Sequence, residues 1–493
     1  RYNFKKADVV VSLGSDFLGG PFDQLKNIAD FSKRRDPDAG SKMNRLYVFE
    51  NSFTATGAKA DHRFPVKESS LEDVLYLLAK EIFKLRELSF NSVVSKKSIK
   101  LNETFVDQKI IKKVAKDLFM NSGKSILIAG DHLSKDAHKL VFLINNVLTN
   151  NFKTISYNKL NFSNYDFIQK SSLDSISELV NDLNNGQVDT LAILGGDPVY
   201  TVPVDLNLAL AIPKSRHCIY LTDIFRKTAL SSSWIIPKSH YLETWNDLYS
   251  QDGIHSIVQP MIKKMYDSFS VNELLNMFLT SYVSDYSLTR SALKKSVGSY
   301  DFDTKWASYL HDGIIRKFNN KVYRFSSLDI TLLNVGNKSR DGYELVFKPD
   351  SKVYDGTFIN NGWLQETPDS VTKITWDNAL LMSPKDAKLN RFKTGDVVNV
   401  TVNSSELEVP IFINPGQAEK SLVLNLGYGQ KNSGKIGSDI GVNAYKLRFS
   451  NSFHVAQDVR LLKLKKTYEI ATTQDHGNME GRPHIRYATV DYY

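Results

Sequence analysis

Three short apolar runs, each broken off by glycine, constrain this chain more than any other feature. Ala7-Asp8-Val9-Val10-Val11-Ser12-Leu13 ends at Gly14, Ser125-Ile126-Leu127-Ile128-Ala129 at Gly130, and Asp189-Thr190-Leu191-Ala192-Ile193-Leu194 at Gly195-Gly196. Nearly continuous hydrophobicity is what a strand buried on both faces requires. Leu46–Glu50 and His217–Leu221 read as further strands. Amphipathic stretches lie between them. Leu71, Val74, Leu75, Leu78, Ile82 and Leu85 fall on one helical stripe, with Ser69 and Ser70 available as caps. Ala137–Leu148 and Ser172–Leu183 have the same texture. Strands alternating with helices predict a mostly parallel sheet covered on both faces. In such folds ligands bind outside the carboxyl ends of the strands, which is where these glycines fall.

The texture changes along the chain. Residues 270–320 are helical in character. From about 322 the pattern alternates, in Val397–Val402, Glu406–Ile413 and Ser421–Leu426, with turn-forming residues between. This predicts a small antiparallel β-barrel. The expected fold class is therefore α/β, with parallel-sheet, Rossmann-like layers followed by a C-terminal β-barrel. The expected division is 1–320 and 321–493. Two interleaved α/β domains, about 1–120 with 215–320 and about 121–214, are the alternative for the first part. The sequence carries no internal repeat.

Composition narrows the chemistry. Hydrophobic residues make up 42% and charged residues 24% of the 493, the balance of an ordinary globular protein. No apolar run approaches the roughly 18 residues of a membrane-spanning helix. The net charge of +9 is carried by short pairs such as Lys112-Lys113 and Lys263-Lys264, mixed with acids. No block of like charge marks a nucleic-acid or membrane surface. Cys218 is the single cysteine. An iron–sulfur cluster held by about four thiolates, or a disulfide, therefore cannot be built from this chain alone. Its setting, Arg216-His217-Cys218-Ile219-Tyr220-Leu221, is that of a core residue.

Ten histidines form no HExxH. Asp61-His62, Asp131-His132 and Asp475-His476 read as turn or capping pairs, and His217 and Cys218 point to opposite faces of a strand. Gly14-Ser15-Asp16-Phe17-Leu18-Gly19-Gly20 lacks the GxGxxG spacing. There is no P-loop, and no serine lies in a GxSxG elbow. By themselves the glycine turns establish only that strands end tightly.

Taken in order, several segments resemble the molybdopterin oxidoreductase superfamily. Ala7–Gly14 resembles its strand and turn at a nucleotide cleft. Thr56-Gly57-Ala58-Lys59-Ala60-Asp61 resembles its T-x-x-x-A-D passage. Leu194-Gly195-Gly196-Asp197-Pro198 resembles its G-x-N-P turn, with aspartate replacing asparagine. Thr222-Asp223-Ile224-Phe225-Arg226-Lys227-Thr228, Ile235-Ile236-Pro237 and Asp252-Gly253 follow the family's next stretch. Trp363–Asp369, Lys373–Asn378 and Gly395–Val398 resemble its C-terminal barrel. The runs Trp245–Asp247, Ser256–Pro260, Leu426–Gly429, Gly441–Tyr445 and Gln474–Pro483 are most like one branch, the molybdopterin-oxidoreductase-like iron–sulfur subunit of bacterial alternative complex III.

That resemblance implies a cofactor-free structural part of a membrane-bound quinol-oxidising respiratory complex, with no catalytic or metal-binding residue of its own. Molybdopterin is expected to be absent. Iron–sulfur clusters are expected in an adjoining part beyond Tyr493, the chain being read as a fragment or processed piece whose start lies upstream of Arg1. The implied partners are a multihaem cytochrome c and a quinol-binding membrane subunit. The implied location is the periplasmic side of the inner membrane, held peripherally. The 23 tyrosines and 27 phenylalanines suit contacts to partners. The alternative the superfamily implies is an enzyme holding a bis-pterin molybdenum cofactor. Its cleft candidates are Gly14, Gly195, Asp197, Asp223, Thr228, Asn378 and Asn443. A carboxylate at position 197 repels a diphosphate where an amide does not, by about 1 kcal/mol or more per close pair.

Overall fold

The computed structural model describes the chain except residues 21–23, 39–41, 96–105, 159–170, 251–253, 316–331, 337–340, 474–480, 482–486 and 493. Asp252-Gly253 and nearly all of the run Gln474–Pro483 lie outside the described residues.

The first sheet joins β1 (Val9–Leu13), β2 (Arg45–Glu50), β3 (His62–Pro65) and β4 (Ser125–Ala129) in the order β3-β2-β1-β4, all parallel. Alternation along β1 divides its side chains between two cores. Val9, Val11 and Leu13 face the helices Leu71–Leu85, Gln108–Met120 and Lys135–Val147, while Val10 faces Phe4, Phe17 and Phe31 on the other side. The helix Leu71–Leu85 buries Leu71, Val74, Leu75, Leu78 and Ile82 as its spacing predicts, but Leu85 stays 39% exposed. Each fully buried leucine contributes about 1.5–3 kcal/mol.

The second sheet is also parallel, with β5 (Thr190–Leu194), β6 (His217–Thr222) and β7 (Trp234–Pro237) side by side. Cys218 is buried in β6 among Val180, Leu183, Leu208 and Ile212. A third, antiparallel sheet of β8 (Asn246–Tyr249), β9 (His255–Val258) and β10 (Ile314–Ile315) accompanies the helices Val271–Leu279, Asp285–Val297 and Phe302–Asp312.

The final region is a closed six-stranded barrel, β11 (Tyr343–Lys348), β15 (Ser421–Asn425), β12 (Leu380–Met382), β14 (Ser405–Ile413), β13 (Asp396–Val402) and β16 (Val455–Thr467) in order around the wall. It is not antiparallel throughout, as the alternating pattern suggested. β11–β15 and β12–β14 run parallel. Alternation reports one buried face and says nothing about strand direction. β4 pairs with β1, so the first sheet continues past residue 120, and the second sheet extends past residue 214 through β6 and β7. Among the described residues no helix is long and apolar enough to cross a membrane.

Candidate functional site

Both parallel sheets end in the same device. After β1 comes Gly14, and two residues later Asp16. One Asp16 oxygen accepts the backbone N–H of Thr56 (2.9 Å), its hydroxyl (2.7 Å) and the N–H of Gly19 (3.1 Å). After β5 comes Gly195, and two residues later Asp197. One Asp197 oxygen accepts the N–H of Thr228 (2.9 Å) and its hydroxyl (2.5 Å). Thr56 and Thr228 each lie in the loop after the neighbouring strand, β2 and β6. Their places are equivalent, six residues beyond Glu50 and Thr222.

At the first turn the space above the strand end is taken by the chain itself. Gly14 has φ +65°, and a Cβ there would lie 2.7 Å from Leu71 Cδ1 and 2.9 Å from His132 Cε1. His132 pairs with the buried carboxylate of Glu68. Burial by itself raises the Glu68 pKa, but the His132 imidazole outweighs it and holds the carboxyl below its ordinary value. Glu68 and Ser69 open the turn leading into the helix Leu71–Leu85. Ser70, expected as its cap, makes no side-chain cap bond. Glu344 of β11 instead holds the short turn Glu68–Ser70 that precedes the helix. It accepts the N–H groups of Glu68 (2.6 Å) and Ser69 (3.2 Å) and the hydroxyls of Ser69 (2.5 Å) and Ser421 (2.6 Å). Burial raises the Glu344 pKa against these bonds. Lys348 donates to Asn51 Oδ1 (2.6 Å) and Ser52 Oγ (2.9 Å). The barrel is thus bound to the carboxyl ends of the first sheet.

The second turn is more open. Gly196 has nothing within 4 Å of its Cβ position, and Lys238 Nζ stands 3.3 Å from that of Gly195. Thr228 is fully buried and also accepts the N–H of Val199 (3.1 Å). Asp223 is half exposed beside Arg226, at 3.5 Å. The Arg226 guanidinium is directed into the barrel loops, toward the carbonyls of Gly356 (3.4 Å) and Thr357 (3.1 Å). Tyr200 donates its hydroxyl to the carbonyl of Tyr428 (2.6 Å) and packs edge-on against Tyr445.

The two barrel candidates are neighbours, joined through Val442. Asn378 is buried and holds neighbouring loops. Its amide donates to the carbonyls of Asn425 (2.8 Å) and Val442 (3.0 Å) and accepts the N–H of Val442 (2.8 Å). It borders a cavity of about 170 Å³ that also meets Asp16 and Lys348. Asn443 caps its own short helical turn through the N–H of Tyr445 (3.0 Å). It faces Tyr200 and Lys227 across a separate cavity of about 350 Å³. Gly195, Asp197, Asp223 and Thr228 therefore gather at one turn, Asn378 and Asn443 stand together in the barrel loops, and Gly14 lies at the turn of the first sheet.

The whole architecture is similar to that of a solved structure, acetylene hydratase from Pelobacter acetylenicus. The TM-score is 0.63 at 12% identity, over 90% of this chain and 75% of that one. The fold is molybdopterin oxidoreductase-like. No family model and no curated protein matches the chain.

A molybdopterin oxidoreductase-like fold raises the question of a pterin dinucleotide, whose diphosphate needs N–H or cationic donors at the strand-end turns. The residues here do not fit that need at both turns. Around Gly14 the room is filled by Leu71 and His132. At each turn an aspartate draws in the nearby threonine donors. The Asn378 amide and the Arg226 guanidinium are directed to backbone groups of this chain. Lys238 beside Gly195 is the group that suits an anion. Among the described residues no group of three or more His, Cys, Asp or Glu side chains is placed to hold a metal ion.

Glu68, His132, Glu344 and Arg226 were not singled out by sequence reasoning as site residues. The Asp131-His132 pair reads as a turn, and nothing in the local spacing links His132 to Glu68. The partners are separated by 64 to 276 positions, so no local spacing marks them.

Proposed function

We propose that this chain is a cofactor-free scaffold within a membrane-bound quinol:electron-acceptor oxidoreductase of the alternative complex III kind. It orders an iron–sulfur electron relay and carries out no catalysis itself. The observation that supports this reading is that an aspartate engages threonine donors internally at both strand-end turns, and that His132 and Leu71 fill the space over the first. The partners are a multihaem cytochrome c and a quinol-binding membrane subunit. The complex sits on the periplasmic side of the inner membrane, where this chain is a peripheral part.

The test is the molybdenum, tungsten, iron and pterin content of the intact purified assembly. Iron without molybdenum, tungsten or pterin is the expected result. One molybdenum or tungsten with two pterins per chain overturns the proposal. A second reading, a molybdopterin-dependent oxidoreductase, draws on one feature: the open second turn, where Gly196 and Lys238 border free space.

A further inference from the structure

The amino ends of the first sheet, opposite the turns described above, form a basic concavity. Lys6 precedes β1, and Lys124 precedes β4. Lys153 reaches the same place from the loop after the helix Lys135–Val147. The hollow measures about 450 Å³. Gly123, at φ +76°, allows the Lys153 side chain to lie across it. A Cβ at Gly123 would stand 3.0 Å from Lys153 Nζ. Phe152, 37% exposed and itself at φ +67°, lines the same hollow.

The charges are not balanced within the protein. The carboxylate bordering the hollow, Asp8, is paired with Arg34, whose guanidinium also donates to the carbonyl of Lys5 (3.2 Å). Lys6, Lys124 and Lys153 are exposed and have no ion-pair partner among the described residues. Three exposed ammonium groups bordering one hollow leave a local excess of positive charge that favours negatively charged partners.

We propose that this concavity is a docking site for an acidic segment of a partner protein, with the three lysines meeting its carboxylates and Phe152 its apolar part. Lysine ammonium groups are mobile point charges that select charge density over shape. Among the described residues no buried polar side chain lines the hollow to orient a small ligand, which favours a flexible acidic segment over a phosphate-bearing metabolite. Such contacts set association rate and partner choice. The inference does not depend on the redox reading, because the site lies at the other end of the sheet.

The experiment is fluorescence anisotropy of a labelled oligoglutamate peptide on the full chain, from low to high salt. The expected result is saturable, salt-sensitive binding. It should weaken about tenfold or more in the triple variant Lys6→Glu, Lys124→Glu, Lys153→Glu, as three exposed ion pairs of a few-fold each predict. The charge-matched variant Lys431→Glu, Lys435→Glu, Lys465→Glu, on the exposed surface of the barrel region, should bind as the parent does. Circular dichroism of both variants checks folding. An equal loss in both variants overturns the proposal, as does absence of binding at low salt. Binding of inorganic tripolyphosphate at this site without binding of the peptide overturns it in favour of a small anion.

Discussion

One carboxylate oxygen of Asp197 accepts both the backbone N–H and the hydroxyl of Thr228, at 2.9 and 2.5 Å. The threonine passes the connection on, since its oxygen also receives the N–H of Val199. The segments that follow β5 and β6 are thereby held together by two side chains. The same relation between Asp16 and Thr56 serves the first sheet.

Replacing Asp197 separates charge from geometry. Asp197→Asn keeps a carbonyl oxygen for both donors and should cost only about 1 kcal/mol. Asp197→Ala leaves both buried donors unsatisfied and should cost about 2–4 kcal/mol. Urea unfolding measures both. Electron transfer by the assembled complex should be the same with Asp197→Asn as with the parent. A large loss of turnover with assembly intact counts against the scaffold reading.

The Glu68–His132 pair should make stability depend on acid. The folded-state pKa of Glu68 is depressed below 4.5, so its contribution is complete above that value. It is lost as the pH falls through the depressed one. His132→Leu should cost about 3–5 kcal/mol near neutrality by leaving a buried charge without its partner. The cost should shrink in acid as Glu68 takes up a proton. Unfolding curves across the acid range report both the loss and its slope. A cost independent of pH would refute this account of the pair.

Glu344 has the opposite sign. Burial raises its folded-state pKa above 4.5, so the stability linked to it declines as the pH rises from that value through the raised one. Glu344→Ala should flatten this part of the profile. It should also destabilise the chain by about 4 kcal/mol, because the donors of Glu68, Ser69 and Ser421 lose their acceptor. Hydrogen exchange at Glu68 and Ser69, in the turn before the helix Leu71–Leu85, should speed up, since their N–H groups bond to this carboxylate.

Cys218→Ser places a hydroxyl in the core of β6, 3.5 Å from where Ser232 Oγ meets the sulfur. A cost of about 1–2 kcal/mol is expected. The iron signals of the assembled complex should not change. A changed signal would mean that Cys218 is more than a core residue.

The strands β1, β4 and β5 were legible because uninterrupted apolar runs ending at glycine have few other uses, and β6 was legible from its apolar run alone. Helix Leu71–Leu85 was legible from its stripe, though its cap was not. The turn before the helix is held by Glu344, and a bond to a residue some 275 positions away leaves no trace in local spacing. Strand direction in the barrel was lost for a related reason, since alternation is the same in parallel and antiparallel strands. Of the cleft candidates, the cluster at Gly195, Asp197, Asp223 and Thr228 is adjacent in space. Gly14 and Asn378 serve the other sheet and the barrel loops. The relation between Asp16 and Asp197 escaped notice because the repetition lies in geometry. Apart from the step of two residues after a glycine, the two stretches share little sequence.

The closure of the barrel has a consequence for how the chain comes into being. β11 pairs with β16, and β16 also pairs with β13, so the wall stays open until the last of its strands leaves the ribosome. The two parallel sheets are complete well before that moment. The segment before Leu71 waits for Glu344, and Thr56 does not wait at all. A chain made only as far as the second sheet therefore leaves uncovered the carboxyl-end face that the barrel segments later hide. The interval before the barrel closes is when a chaperone or an assembly partner has access to a surface the finished molecule hides.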